Sequence, residues 1–272
     1  MTRDAHFSNE RMINRLSFYA EIRSILSVFE KVDYSIITGG YVQNERKMGD
    51  VDIITVLPYI YPHLDDDIID FASRHVDAQI RNGFSPDFQF PSDVITRQQI
   101  RDAVSGRALK IVRGKLELKK YSPEDIANNP EADYRIWLFE MITHDFDLVG
   151  GSFEMLARDT LRAHKTIFLL LCEKHPSATS FTLDFLRREM FSIARLPYVM
   201  LEKQCRYMLV MIEEEEFGAM NTSGEITLNV NRIRQECYAL KKVISNGMVR
   251  SAEHIISWEY LREKIKKKER KK

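Results

Sequence analysis

Asp50 and Asp52 stand two residues apart at the head of an apolar run, DVDIITVL. On a β-strand this spacing sends both carboxylates from one face, with Cα atoms roughly 6.5–7 Å apart. Like charges so placed repel, while Val51, Ile53 and Ile54 commit the same segment to a core. Converging carboxylates at such a point are a natural seat for Mg²⁺, a hard cation that takes oxygen ligands and shares them with substrate phosphates. Gly39 and Gly40 precede the pair across a nine-residue span, Tyr41 to Gly49. Lacking side chains, they let the backbone approach a ligand and offer N–H groups to phosphate oxygens. Arg46 and Lys47, within that span, carry charge suited to neutralising phosphate. A hairpin with solvated aspartates would use the same residue types. The order strand, Gly-Gly, polar span, Asp-x-Asp, strand is what favours metal and phosphate.

The elements that would hold these residues are short. YSIIT, Tyr34 to Thr38, is a β-prone run halted by Gly39-Gly40, and Pro58 ends the run that the aspartates open. Apolar residues at Leu16, Tyr19, Ile22, Ile25, Leu26 and Phe29 predict an opening helix over 8–30, capped by Ser8. Leu64, Ile68, Phe71, Ala72, Val76 and Ile80 predict a second helix, stopped at Asn82-Gly83. DFQF, 87–90, reads as a third strand, followed by a helix over 96–104 and a hairpin turning at Arg113-Gly114. This describes an α+β domain with a small mixed sheet over 1–128, its boundary set by the turn formers of SPEDIANNPEAD. Beyond it, 134–144, 153–174, 182–216, 231–246 and 251–268 read as helices, predicting an all-α helical bundle over 129–272 with a basic tail. In HDFDLVGG, Asp145 and Asp147 repeat the two-residue spacing before a second Gly-Gly. They read as a helix end and loop, or chemically as an acceptor-side general base.

Composition narrows the partners. Forty Lys+Arg offset forty Asp+Glu in 272 residues, so no overall field draws a nucleic acid or membrane. Cys172, Cys205 and Cys237 are odd in number and lie in apolar segments, which predicts reduced, buried thiols in a cytoplasmic protein. No apolar run reaches the length of a membrane span.

The apolar strand, Gly-Gly, short span and Asp-x-Asp of residues 34–57 resemble the signature of the DNA polymerase β-like nucleotidyltransferase superfamily. The resemblance implies that Gly39 and Gly40 hold a triphosphate and that Asp50 and Asp52 bind a pair of Mg²⁺ ions. It also implies a third carboxylate on a later strand. Asp87, opening DFQF, is the choice, and Asp77, on the second helix, is the rival. The implied activity is transfer of a nucleoside monophosphate from an NTP, ATP among the candidates, to a hydroxyl acceptor. A small molecule or protein is favoured over RNA or another long nucleic acid. The alternative is a catalytically silent binding or regulatory protein, such as an antitoxin-like partner, on the same scaffold.

Overall fold

The computed structural model describes residues 16–38, 51–86, 93–107, 109–119, 146–194 and 201–247. It is a mixed α+β protein in two compact units. Of the described residues, 16–97 and 146–153 form the first unit, and 98–119 and 154–247 the second. The boundary expected near residue 128 lies outside the described residues.

The first unit is a four-stranded sheet with strand order β3-β2-β1-β6: β1 (Tyr34–Thr38), β2 (Asp52–Leu57), β3 (Asp93–Thr96) and β6 (Asp147–Gly151). β2 and β6 run antiparallel to β1, and β3 runs parallel to β2 after a crossover through α2 (Leu64–Arg81). Strand alternation explains which face is covered. Ile37, Ile53, Leu57 and Val149 bury their side chains in one cluster with Phe18 and Ile22 of α1 (16–25) and Ile68 and Phe71 of α2. Aromatic rings tie the layers together: Phe18 lies 5.1 Å from Phe84 and Phe29 lies 5.0 Å from Phe71. A buried ion pair, Arg97 Nε to Asp33 Oδ2 at 2.7 Å, joins the ends of β3 and β1.

The expected loop at 147–151 is corrected. β6 is a strand, and its glycines are there for contact. A Cβ on Gly150 would lie 2.7 Å from Leu26, and one on Gly151, at φ +81°, would lie 2.3 Å from the Asp33 carbonyl oxygen. The strand segment expected at 87–90 lies outside the described residues; the strand described after α2 begins at Asp93.

In the second unit, α3 (Arg97–Asp102) begins at the unit boundary and leads to the hairpin β4 (Leu109–Val112) and β5 (Lys115–Leu118). The hairpin turns at Arg113 and Gly114 with φ of 49° and 77°, the positive-φ pair that a two-residue turn demands. α4 (Phe153–Lys174), β7 (Ser180–Thr182), α5 (Leu183–Ala194), α6 (Leu201–Glu214), β8 (Gly218–Met220), β9 (Glu225–Leu228) and α7 (Val230–Ser245) follow. The all-α bundle expected here is corrected: β7, β9 and β8 form a three-stranded antiparallel sheet with β9 central. Asn221 closes the β8–β9 turn, its Oδ1 accepting from the backbone N–H of Ser223 and Glu225 at 3.0 and 2.9 Å. The long helix expected over 182–216 is two helices, α5 and α6. Phe168, Phe181 and Phe217 form the aromatic centre, Phe168 stacking on Phe217 at 5.6 Å. No helix among the described residues is long and apolar enough to cross a membrane.

Candidate functional site

β1 and β2 pair up to Thr38 opposite Asp52, so the polar span between them leaves and re-enters at one end of the sheet. Residues directly opposite in an antiparallel pair share a face. Asp52 and Thr38 therefore lie on the face opposite Ile37 and Ile53, which bury against α1 and α2. Thr38 is buried and Asp52 is exposed, so the last described pair of the ladder joins a buried residue to an exposed one. Ile54 and Val56 continue the Asp52 face and are also buried, so the strand is buried on both faces except at its first residue.

Val51 turns the other way, into the α1–α2 core, at 1% exposure. Its backbone is held by a side chain. The Val51 N–H donates to Gln79 Oε1 at 2.8 Å, and Gln79 Nε2 donates to the Val51 carbonyl oxygen at 3.4 Å. Behind it, Gln79 Nε2 lies 3.1 Å from His75 Nε2. Both side chains are buried on α2, on the stripe that also carries Ile68, Phe71 and Ala72. The apolar period predicts Val76 and Ile80 on that stripe, but Val76 is half-buried and Ile80 is 53% exposed. Gln79 and His75 escaped the sequence reading because it followed apolar residues only. Two polar residues four apart, in phase with Ile68 and Ala72, are the signal that could have found them.

Of the residues expected to hold metal and phosphate, Asp52 lies among the described ones, as do the rival Asp77 and the base candidate Asp147. Gly39, Gly40, Arg46, Lys47, Asp50 and Asp87 lie outside them, as does Asp145. Asp77 is an exposed residue of α2, in keeping with its helical spacing. Asp93 stands at the register position level with Ile54 at the start of β3, the strand beside β2. Asp147 pairs with Ile37 rather than Thr38, which puts it on the α1 face, where the Tyr19 hydroxyl donates to its Oδ2. It is not on the face of Asp52, and the acceptor-side role does not fit that placement.

Among the described residues no three carboxylate, imidazole or thiol side chains gather as a metal site. Asp52 is an exposed carboxylate at the strand end, two residues after Asp50, which lies outside the described residues. Elsewhere, a cleft of about 320 Å³ in the second unit is lined by Cys172, His175, Arg234, Cys237 and Tyr238 among others. Burial raises the pKa of the Cys172 thiol and pushes that of Cys237 up to about 12, so neither is a nucleophile at neutral pH. All three cysteines are buried and free, as the sequence reading expects. Comparisons of the chain with protein-family models, curated proteins and solved structures give no match.

Proposed function

We propose that the chain is a Mg²⁺-dependent nucleotidyltransferase that moves a nucleoside monophosphate from an NTP to a hydroxyl acceptor. The observation that carries this reading is the Thr38–Asp52 pair. It brings the residue before Gly39-Gly40 and the second aspartate of Asp-x-Asp side by side, at one end of a sheet, with Asp52 exposed. On this reading the glycine N–H groups receive the triphosphate, and Arg46 and Lys47 offset its charge. Asp50, Asp52 and Asp87 would hold the metal; Asp93, on the strand next to β2, is a second candidate for the third position. Bound Mg²⁺ would supply Lewis-acid stabilisation of phosphate charge. The reaction joins the acceptor oxygen to the α-phosphorus and breaks its bond to the departing pyrophosphate. Buried, free thiols support a cytoplasmic setting.

Thermal shift tests the binding half of this reading. Mg²⁺ with an NTP stabilises a protein that binds it by mass action, about 2.7 kcal/mol at a hundredfold excess over Kd. Wild type should gain this stability and Asp52→Asn should lose the Mg²⁺-dependent part. No response to any NTP would favour the catalytically silent binding protein.

A second reading of the acceptor is favoured by the topology of the second unit. α5 and α6 pack as a helix pair against a sheet whose β8–β9 hairpin stands beside them. This order resembles a helix-turn-helix pair with a hairpin wing, a device that sets its second helix against duplex nucleic acid. Arg188 of α5 and Arg206 of α6 are exposed, and the acidic residues Glu213 and Glu214 lie at the far end of α6. Here the acceptor or regulator is a nucleic acid, despite the neutral overall charge. Fluorescence anisotropy with duplex DNA and RNA decides: salt-dependent binding lost in Arg206→Glu supports it, and no binding at low salt removes it.

A further inference from the structure

We propose that the cleft between the end of α4 and α7 binds a small aromatic anion, a planar ring carrying one carboxylate or phosphate. Tyr238 would stack on the ring and Arg234 would pair with the charge. The cleft, of about 320 Å³, lies in the second unit, so it stands whether or not Asp52 holds a metal. That volume is at the small end of ligand pockets. Helical spacing on α7 builds one wall. Ile233 and Cys237, four apart, are buried and line the cleft together with the buried Cys172 of α4. Arg234, Tyr238 and Lys241 line it from the adjoining stripe, at positions i, i+4 and i+7.

Charge decides the class of ligand. Among the described residues, Glu173 is the acidic side chain that lines the cleft, and Lys241 Nζ holds its Oε2 at 2.6 Å. Glu189, against His175, is matched by Lys174 Nζ at 2.5 Å. The carbonyl end of α4 is closed by the His175 N–H, which donates to the Leu171 and Cys172 oxygens at 3.1 Å each. Burial raises the pKa of the Cys172 thiol and pushes that of Cys237 up to about 12, so neither opposes an anion. Arg232 is committed to Glu236 at 3.0 Å, whereas Arg234 makes no ion pair or side-chain hydrogen bond among the described residues. What remains over the cleft is one guanidinium, whose planar fork of N–H donors matches a carboxylate or phosphate.

Tyr238 adds the ring. It is 72% exposed and has no ring contact or hydrogen bond among the described residues, whereas the other cleft aromatic, His175, packs edge-on against Phe185 at 5.0 Å. Arg234 and Tyr238 are neighbours on the helix surface at i, i+4, so one ligand can meet both. A tyrosine offers a large rigid face at low entropic cost, and the buried wall of Ile233, Cys237 and Cys172 offers apolar contact beside it. A nucleic-acid strand would need a run of cations along its backbone. One uncommitted guanidinium beside one open ring matches a small molecule with one charge and one ring.

The test is isothermal titration calorimetry on the full chain without Mg²⁺. Phenyl phosphate and benzoate are the probes, inorganic phosphate supplies charge without a ring, and benzyl alcohol supplies a ring without charge. Wild type should bind at least one ring anion with a Kd of about 1 mM or tighter, and about tenfold tighter than it binds inorganic phosphate or benzyl alcohol. The better of the two probes names the anionic group. Arg234→Gln should weaken binding about tenfold and Tyr238→Ala about threefold, while Tyr238→Phe should bind as wild type does. Both side chains are exposed, so these variants should keep the urea midpoint of wild type. Lys242→Gln, an exposed cation of α7 outside the cleft, should bind within about twofold of wild type. No heat with either ring anion overturns the proposal, as does affinity that survives Arg234→Gln or that falls as far in Lys242→Gln. A dimer in sedimentation that Tyr238→Ala abolishes would assign the face to a second copy of the chain and likewise overturn it.

Discussion

Asp52 and Asp147 each open a strand antiparallel to β1, at the same end of one sheet. Asp52 lies opposite Thr38, and Asp147 lies opposite Ile37. That difference of one residue in register sends them to opposite faces, because side chains alternate along a strand. Asp52 is exposed, while Asp147 is half-buried against α1 and accepts from the Tyr19 hydroxyl. Their sequence contexts look alike, an Asp-x-Asp with a nearby Gly-Gly. Yet the second Gly-Gly is fully explained by the approach of Leu26 and of the Asp33 carbonyl. The comparison teaches that a repeated motif does not place its carboxylates alike: a shift of one residue in register exposes one aspartate and turns the other toward the core.

The largest effect expected is on catalysis. Asp52→Asn should lower nucleotidyl transfer by about 10³-fold, whereas Asp147→Asn should keep transfer. Equal losses in the two variants, measured as initial rates, would erase the distinction. Next comes Gly151→Ala. Its Cβ would stand 2.3 Å from the Asp33 oxygen at φ +81°, a combination of clash and strain that should cost about 3 kcal/mol or more in urea unfolding.

A third polar group, His164 in the second unit, separates burial from register as the source of such effects. It is buried at 0% exposure on α4, with Nδ1 2.8 Å from the Thr160 carbonyl oxygen. Burial lowers its pKa to about 4, the hydrogen bond to Thr160 opposing this only in part. The unfolded chain takes up a proton near pH 6.5 and the folded one near pH 4, so stability present above 6.5 is lost as pH falls toward 4. The loss should reach about 3 kcal/mol, from 1.36 kcal/mol per pKa unit, and His164→Phe should flatten the pH dependence of urea unfolding. The smallest effect belongs to Tyr19→Phe. Loss of its bond to the half-exposed Asp147 should cost about 1 kcal/mol and leave transfer unchanged.

Much of the frame was legible because it is locally encoded. β1 is read residue for residue as Tyr34–Thr38, α4 as Phe153–Lys174, and the Arg113-Gly114 turn by its chemistry. β6 was not legible, since five residues ending in two glycines show strand character only once β1 lies beside them. β7, β8 and β9 span three, three and four residues, too short for a period of two to stand out from turn formers. At the candidate site, the strand expected over 50–57 is described from Asp52 to Leu57. Spacing gave no sight of Gln79, whose backbone contact lies 28 residues away.

The central claim is that the end of the sheet at Asp52 transfers nucleotides. The most direct measurement incubates the protein with Mg²⁺, cell extract and NTPs labelled separately at the α- and γ-phosphates. Label from the α-phosphate, but not the γ-phosphate, should appear on an acceptor, and Asp50→Asn/Asp52→Asn should abolish it. Transfer of γ-label, or α-label transfer that survives in the double variant, would contradict the account.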